Sequence, residues 1–152
     1  MSIFNSINTS ASALTAQRLR MDVISSNMAN VDTTRAKQLE NGEWEPYRRK
    51  SVVLQSKEGN FSSFLNVAMN SQNSAGNGVK VKSIEEDTET PFQMVYDPES
   101  PEADENGYVK KPNVDVLREM VDLISATRSY EANVTTMNAS KGMLMKALEI
   151  GK

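Results

Sequence analysis

The sequence predicts a mainly α protein whose long N- and C-terminal helices pair as a coiled-coil-like hairpin, with a small β-rich insert between them. Three observations predict this. Apolar residues recur at helical spacing at both ends of the chain. The middle loses that period and is punctuated by Gly, Pro and Asn. The composition is too polar for one large core, with 38% hydrophobic and 6% aromatic residues among 152. Chains of that composition bury too little apolar surface to offset the entropy of ordering every segment alone.

The N-terminal segment, residues 1–34, carries Ile3, Ile7, Leu14, Met21, Ile24, Met28 and Val31 in alternating steps of three and four, with Ser10 and Gln17 as polar exceptions. That is an amphipathic stripe or coiled-coil seam. A helix of ~30 residues extends about 45 Å, more than a domain of this size needs internally.

Residues 35–111 form the insert. Asn41-Gly42, Trp44 and Pro46 mark the change of structure, and the basic run Arg48-Arg49-Lys50 opens a strand expected within Tyr47 to Gln55. The run reads as an exposed edge guarded by charge. Residues 56–77, rich in Asn, Ser and Gly, read as a loop anchored by Phe61, Phe64 and Leu65. From Gly78 to Ile84 apolar and polar residues alternate, so one face of a strand is covered and the Lys80 and Lys82 face is wet. A further strand is expected at Phe92 to Tyr96. The acidic segment 85–105 holds nine acids and no base, is broken by Pro91, Pro98 and Pro101, and reads as short β structure and surface loop.

The C-terminal segment, residues 112–152, starts with Asn113 as a cap candidate and Asp115 in the first turn. Val116, Met120, Leu123, Tyr130, Val134, Met137, Leu144 and Leu148 then keep a seven-residue repeat, interrupted at Thr127 and Lys141. This is the strongest pattern in the chain. Nine methionines suit either ordinary helix packing or adaptable contacts between unlike subunits.

Several function classes are excluded or disfavoured. A net charge of −3 offers no cationic excess for nucleic acid or anionic membrane. Cys and His are both absent, which removes thiolate chemistry, the usual zinc ligands and the commonest general base. Glu102 to Gly107 has oxygen side chains at calcium-loop spacing, but Lys110, Pro112 and Asn113 fall at the ninth, eleventh and twelfth positions, so a solvated turn is expected. Glu85 and Glu86 have no nucleophile or phosphate loop beside them. The reading is therefore no enzyme, with no catalytic, cofactor-binding or metal residues. The N-terminal residues lack the cationic start and apolar core of a secretory signal.

The stretch Ser25-Ser26-Asn27-Met28-Ala29-Asn30-Val31-Asp32-Thr33-Thr34 resembles the N-terminal signature of the flagellar rod, hook and hook-associated axial family. Its motif falls on Asn27, Ala29, Asn30 and Thr33. Residues Gly107 to Asp115 and Glu119 to Asn133, including Tyr130 and Asn133, resemble the matching C-terminal signature. With the short length, the resemblance narrows to the proximal rod type. It covers roughly residues 1–56 and 78–152, and Trp44 stands where the family pattern has a glycine-rich turn. It implies a structural subunit of the proximal rod of the basal body, in the periplasmic space, exported by the flagellar type III apparatus without a cleaved signal. It implies as partners other copies, companion proximal rod proteins and the rod–ring adaptor at the export gate. The assembly interface expected on that basis is Ile3, Ile7, Leu14, Met21, Ile24 and Met28 with Leu123, Tyr130, Val134, Met137 and Leu144. A free-standing coiled-coil adaptor or secreted virulence-type protein is the alternative reading.

Overall fold

A computed structural model of the chain describes residues 3–40, 42–57 and 78–151. The element order is α1 (Ile3–Ala29), β1 (Lys37–Gln38), β2 (Trp44–Glu45), β3 (Lys50–Ser56), β4 (Val79–Glu86), β5 (Gln93–Tyr96), β6 (Tyr108–Lys111) and α2 (Val116–Ile150). Among the described residues the strands form three two-stranded sheets, β1 with β2, β3 with β4 and β5 with β6. This is the mainly α architecture with a small β insert that the periodicity predicts. The loop expected at 56–77, with Phe61, Phe64 and Leu65, lies outside the described residues from 58 onward.

Both helices run long because their apolar stripes hold helical phase over seven turns or more, and side chains take over the backbone bonding at the end of α1 and the start of α2. At the end of α1, the Asn30 N–H donates to the carbonyls of Ser26 and Asn27, both at 3.2 Å, and its side-chain amide donates to Ser26 O at 2.8 Å. Thr33 then closes a turn onto Asn30, through its N–H at 3.1 Å and its hydroxyl at 3.1 Å. α1 therefore stops short of residue 34. α2 is capped by Asp115, whose Oδ1 accepts the Leu117 N–H at 2.9 Å. The cap expected at Asn113 is thus moved by two residues, because Asn113 is engaged elsewhere.

The described residues fall into two compact units. One comprises those of Met1–Arg20, Val52–Ser83 and Ser125–Lys152. Its buried positions include Ser10, Ala16, Ala126 and Ser140, small residues that let backbones approach closely. Ser12 donates its hydroxyl to Thr9 O at 2.7 Å and accepts the Val79 N–H at 3.1 Å, which fastens the start of β4 to α1. Gly78 has φ +93 and faces Ser12 so closely that any Cβ would collide with that side chain. Along β4, Val79, Val81 and Ser83 are half-buried while Lys80 and Lys82 are exposed, the alternation the sequence predicts.

The other unit comprises Met21–Ser51 and Ile84–Ile124. Val23, Ile24, Tyr47, Val109 and Val114 are buried in it. β5 and β6 pair antiparallel, with Met94 opposite Lys110, Val95 opposite Val109 and Tyr96 opposite Tyr108. Gly107, at φ +80, turns the chain into β6. β1 and β2 form a small hairpin, Lys37 opposite Glu45 and Gln38 opposite Trp44, that the sequence pattern did not single out.

Candidate functional site

A densely bonded group of side chains among the described residues is a buried polar centre in the second unit, built around Asn27 and Glu119. Asn27 sits near the end of α1 and is 1% exposed. Its Nδ2 donates to the Lys50 carbonyl at 2.8 Å and to Glu119 Oε2 at 3.0 Å. Its Oδ1 accepts the Lys50 N–H at 2.9 Å and the Tyr47 hydroxyl at 3.0 Å. All four bonding positions of the carboxamide are filled, as burial of a polar group requires.

Glu119 is fully buried, and its other oxygen accepts from Arg49 Nε at 2.6 Å. Arg49 also reaches Asp122 at 3.2 Å. A charge taken out of water needs this kind of paired and hydrogen-bonded setting. Arg49's own N–H donates to Asn113 Oδ1 at 2.8 Å, and Asn113 Nδ2 donates to the carbonyls of Asp87 and Thr90 at 3.0 and 3.1 Å. Two buried asparagines therefore bracket the start of β3, one holding residue 50 to α1 and α2, the other holding residue 49 to the turn after β4.

The basic run is thus not the solvated edge that its charge suggested. Arg49 keeps only 16% of its side chain exposed because it neutralises Glu119. Arg48 stacks over the Phe92 ring at 4.4 Å and pairs with Glu45 at 2.7 Å. The neighbouring turn is set by Asp87, whose Oδ1 accepts the N–H groups of Glu89 and Thr90 and whose Oδ2 accepts the Thr90 hydroxyl. Those Thr90 bonds hold the Asp87 carboxyl below its ordinary value of 3.8, with the Glu89 N–H and the Arg49 charge adding to them against a small opposing effect of burial.

The sequence-predicted interface residues differ in how far the chain itself covers them. Ile24 is buried, and Ile7, Leu14, Met21, Met28, Leu123, Tyr130, Val134, Met137 and Leu144 are half-buried. Ile3 opens α1, and its side chain lies outside the described residues. A second apolar stripe on α2 escaped the sequence reading: Leu117, Val121 and Ile124 are 75%, 67% and 60% exposed. Among the motif residues, Asn27 joins the buried centre, Asn30 and Thr33 close the helix end, and Ala29 is exposed. Tyr130 is half-buried, and Asn133 donates to Ser129 O at 2.8 Å.

Glu119, Arg49, Asn113 and Tyr47 were not anticipated as a group. Glu119 left one trace in the pattern, since it stands three residues after Val116 and four before Leu123, on the flank of the stripe. The Glu102 to Gly107 stretch is a turn in which Glu102 pairs with Arg35 at 2.8 Å and the Gly107 N–H reaches Asp104 O. Among the described residues no cluster of potential metal ligands occurs, and no helix is long and apolar enough to cross a membrane.

Two long helices tied together by a buried centre, with apolar surface left open, define the class: a structural subunit made for assembly. Comparison with known proteins gives the family. The family described as "Flagella basal body rod protein" matches residues 7–37, and "Flagellar basal body rod FlgEFG protein C-terminal" matches residues 105–150. The chain is 69% identical to the flagellar basal-body rod protein FlgC of Bacillus subtilis, over the full length of both. It is 44% identical to FlgC of Borreliella burgdorferi over 99% of this chain and 98% of that one, and 41% identical to FlgC of Salmonella typhimurium over the full length of both. The chain belongs to the FlgC family of flagellar basal-body rod proteins and is a structural subunit of the basal body, assembling with other rod and basal-body components.

Proposed function

We propose that the chain builds the proximal part of the rod, in the periplasmic span of the basal body, and carries torque by helix-to-helix packing. The observation that carries this reading is the pairing of a rigid joint with an open apolar surface. Asn27, Arg49 and Glu119 fix the end of α1 to the start of α2 within one unit, while Leu117, Val121 and Ile124 stay exposed on the same helix. Grouping of the α1 start with the α2 end in the other unit supports an antiparallel, coiled-coil-like pair with axial segments 1–34 and 112–152 and an insert at 35–111.

In this reading the seam from Ile3 to Met28 with Leu123 to Leu144 does two things. It stiffens each subunit with the half of its surface already covered, and it offers the rest, together with the Leu117 stripe, to neighbours. Large apolar side chains grouped on one exposed helix face mark a surface for a partner. The neighbours are other copies, companion proximal rod proteins and the rod–ring adaptor at the export gate. The subunit reaches them through the flagellar type III apparatus.

The test replaces Ile7, Leu14 and Met21 together by Ser in a strain making no other copy. A polar, flexible leader remains, so the subunit is expected in the culture medium but not in isolated basal bodies. Normal rods from this variant would remove the N-terminal stripe as a packing surface.

A further inference from the structure

The β5–β6 hairpin has two unlike faces. Val95 and Val109 share one, and Val109 is buried. Met94, Tyr96, Tyr108 and Lys110 share the other, where Met94, Tyr96 and Tyr108 are 53%, 65% and 43% exposed. The outer face of a small hairpin ordinarily carries polar residues, because exposed apolar groups there contribute nothing to the fold. Here the two tyrosines are instead set in an edge-to-face pair, ring centroids 5.3 Å apart. Gly107 keeps them there, since a Cβ at that position would stand 3.0 Å from the Tyr96 ring. The aromatic face is therefore preorganised, the property that lowers the entropic cost of binding.

Its rim is acidic. Asp97, Glu99, Asp104 and Glu105 lie in the turn between the two strands, all exposed, and none takes part in an ion pair among the described residues. The chain also carries the complement. On the wet face of β4, Lys80 and Lys82 are exposed without ion-pair partners among the described residues, and Ile84, two residues further along the same face, is 47% exposed. Lys57, just after β3, is exposed as well. Ammonium groups over tyrosine rings gain from the ring quadrupole, and lysine stems cover apolar surface while their charges meet carboxylates.

We propose that the Tyr96–Tyr108 face and acidic rim of one subunit dock on the Lys80–Lys82 face of β4 in the next copy of this chain. The proposal rests on the reading that copies of the chain polymerise. The two patches are different, so the contact is heterologous; repeated with a rotation and a rise, such a contact generates an open helical array, which is what a rod is.

Because the chain has no cysteine, disulfide trapping reads this contact on a clean background. Glu105→Cys and Lys82→Cys subunits are co-expressed, basal bodies are isolated, oxidised and resolved without reductant. A covalent dimer of this chain is expected from the pair and not from either variant alone. In parallel, Lys80→Glu/Lys82→Glu and Asp104→Lys/Glu105→Lys are each expected to cut incorporation about tenfold or more, through repulsion across the contact, and their combination in one chain to restore it. Circular dichroism of each purified variant, unchanged from the parent, confirms that the fold is kept. Rods that assemble without the dimer, a crosslink to a different rod protein, or reversals that leave incorporation intact would each overturn the proposal. Failure of the parent chain itself to enter basal bodies would instead overturn the reading beneath it.

Discussion

Replacing Arg49 with Met probes the buried centre at its most exposed-to-loss point. Glu119 is fully buried, with one oxygen served by Arg49 Nε at 2.6 Å and the other by Asn27 Nδ2 at 3.0 Å. Methionine keeps much of the arginine stem but leaves the carboxylate with one neutral donor. Removing one partner of a buried pair costs about 3–5 kcal/mol. The Arg49 side chain is 16% exposed, so water reaches the vacated corner and the lower end, ~3 kcal/mol, is expected. The Asp122 contact, to a carboxylate 30% exposed, adds no more than ~0.5 kcal/mol. For a chain of this length ~3 kcal/mol lowers Tm by roughly 6–12 °C. The double variant Arg49→Met/Glu119→Leu removes the charge with its partner and strands only one Asn27 donor, so about 2 kcal/mol should return. Urea unfolding followed by the fluorescence of Trp44, the single tryptophan and a member of the same unit, measures both. A single variant losing under ~1 kcal/mol, or a double variant no more stable than the single, would refute the argument.

Three further outcomes follow from local geometry. Gly107→Ala places a side chain at φ +80 and 3.0 Å from Tyr96, so a loss of about 2 kcal/mol and a shift of the Tyr96 and Tyr108 ring resonances are expected in NMR spectra. Asp87 has a lowered folded-state pKa, so its contribution is present above the unfolded value near 3.8 and fades as pH falls through the lower folded value. The stability gap between the parent and Asp87→Asn should therefore be constant from pH 7 to 5 and shrink below pH 4; a gap unchanged at pH 2.5 would contradict this. Val134→Asp puts a charge at a half-buried seam position, costing at least ~2 kcal/mol, and is expected to leave expression intact while abolishing motility and rod incorporation.

The helices were legible because their signal is local. Ile7 to Met28 and Leu123 to Leu144 repeat every three or four residues, and both stretches lie within the two long helices. The β4 alternation was legible for the same reason. The buried centre was not, because its bonds join Asn27 to Glu119 and Arg49 to Asn113, residues 92 and 64 positions apart. Nothing within a window of the sequence distinguishes Arg49 from Arg48, yet one is sealed against a carboxylate and the other lies over a ring. Asn113 read as a cap for the same reason: asparagine before an acidic first turn is a good local signal, and only distant partners at residues 49, 87 and 90 divert it. The rod motif itself was readable as letters, whereas the physical reason for its first asparagine emerged only with the strand folded against it.

That asparagine behaves as a detached peptide unit. A neighbouring strand would give residue 50 one donor and one acceptor side by side, and the carboxamide of Asn27 gives both from a helix. Aspartate has the same shape and no donor, so it would set a carboxylate against the Lys50 carbonyl and against Glu119. Leucine has the volume and neither function. Glutamine has both functions but carries them one methylene too far. The position thus tests parity as well as size: a single residue type supplies two donors and two acceptors at this reach, and the sheet borrows its missing edge from a side chain.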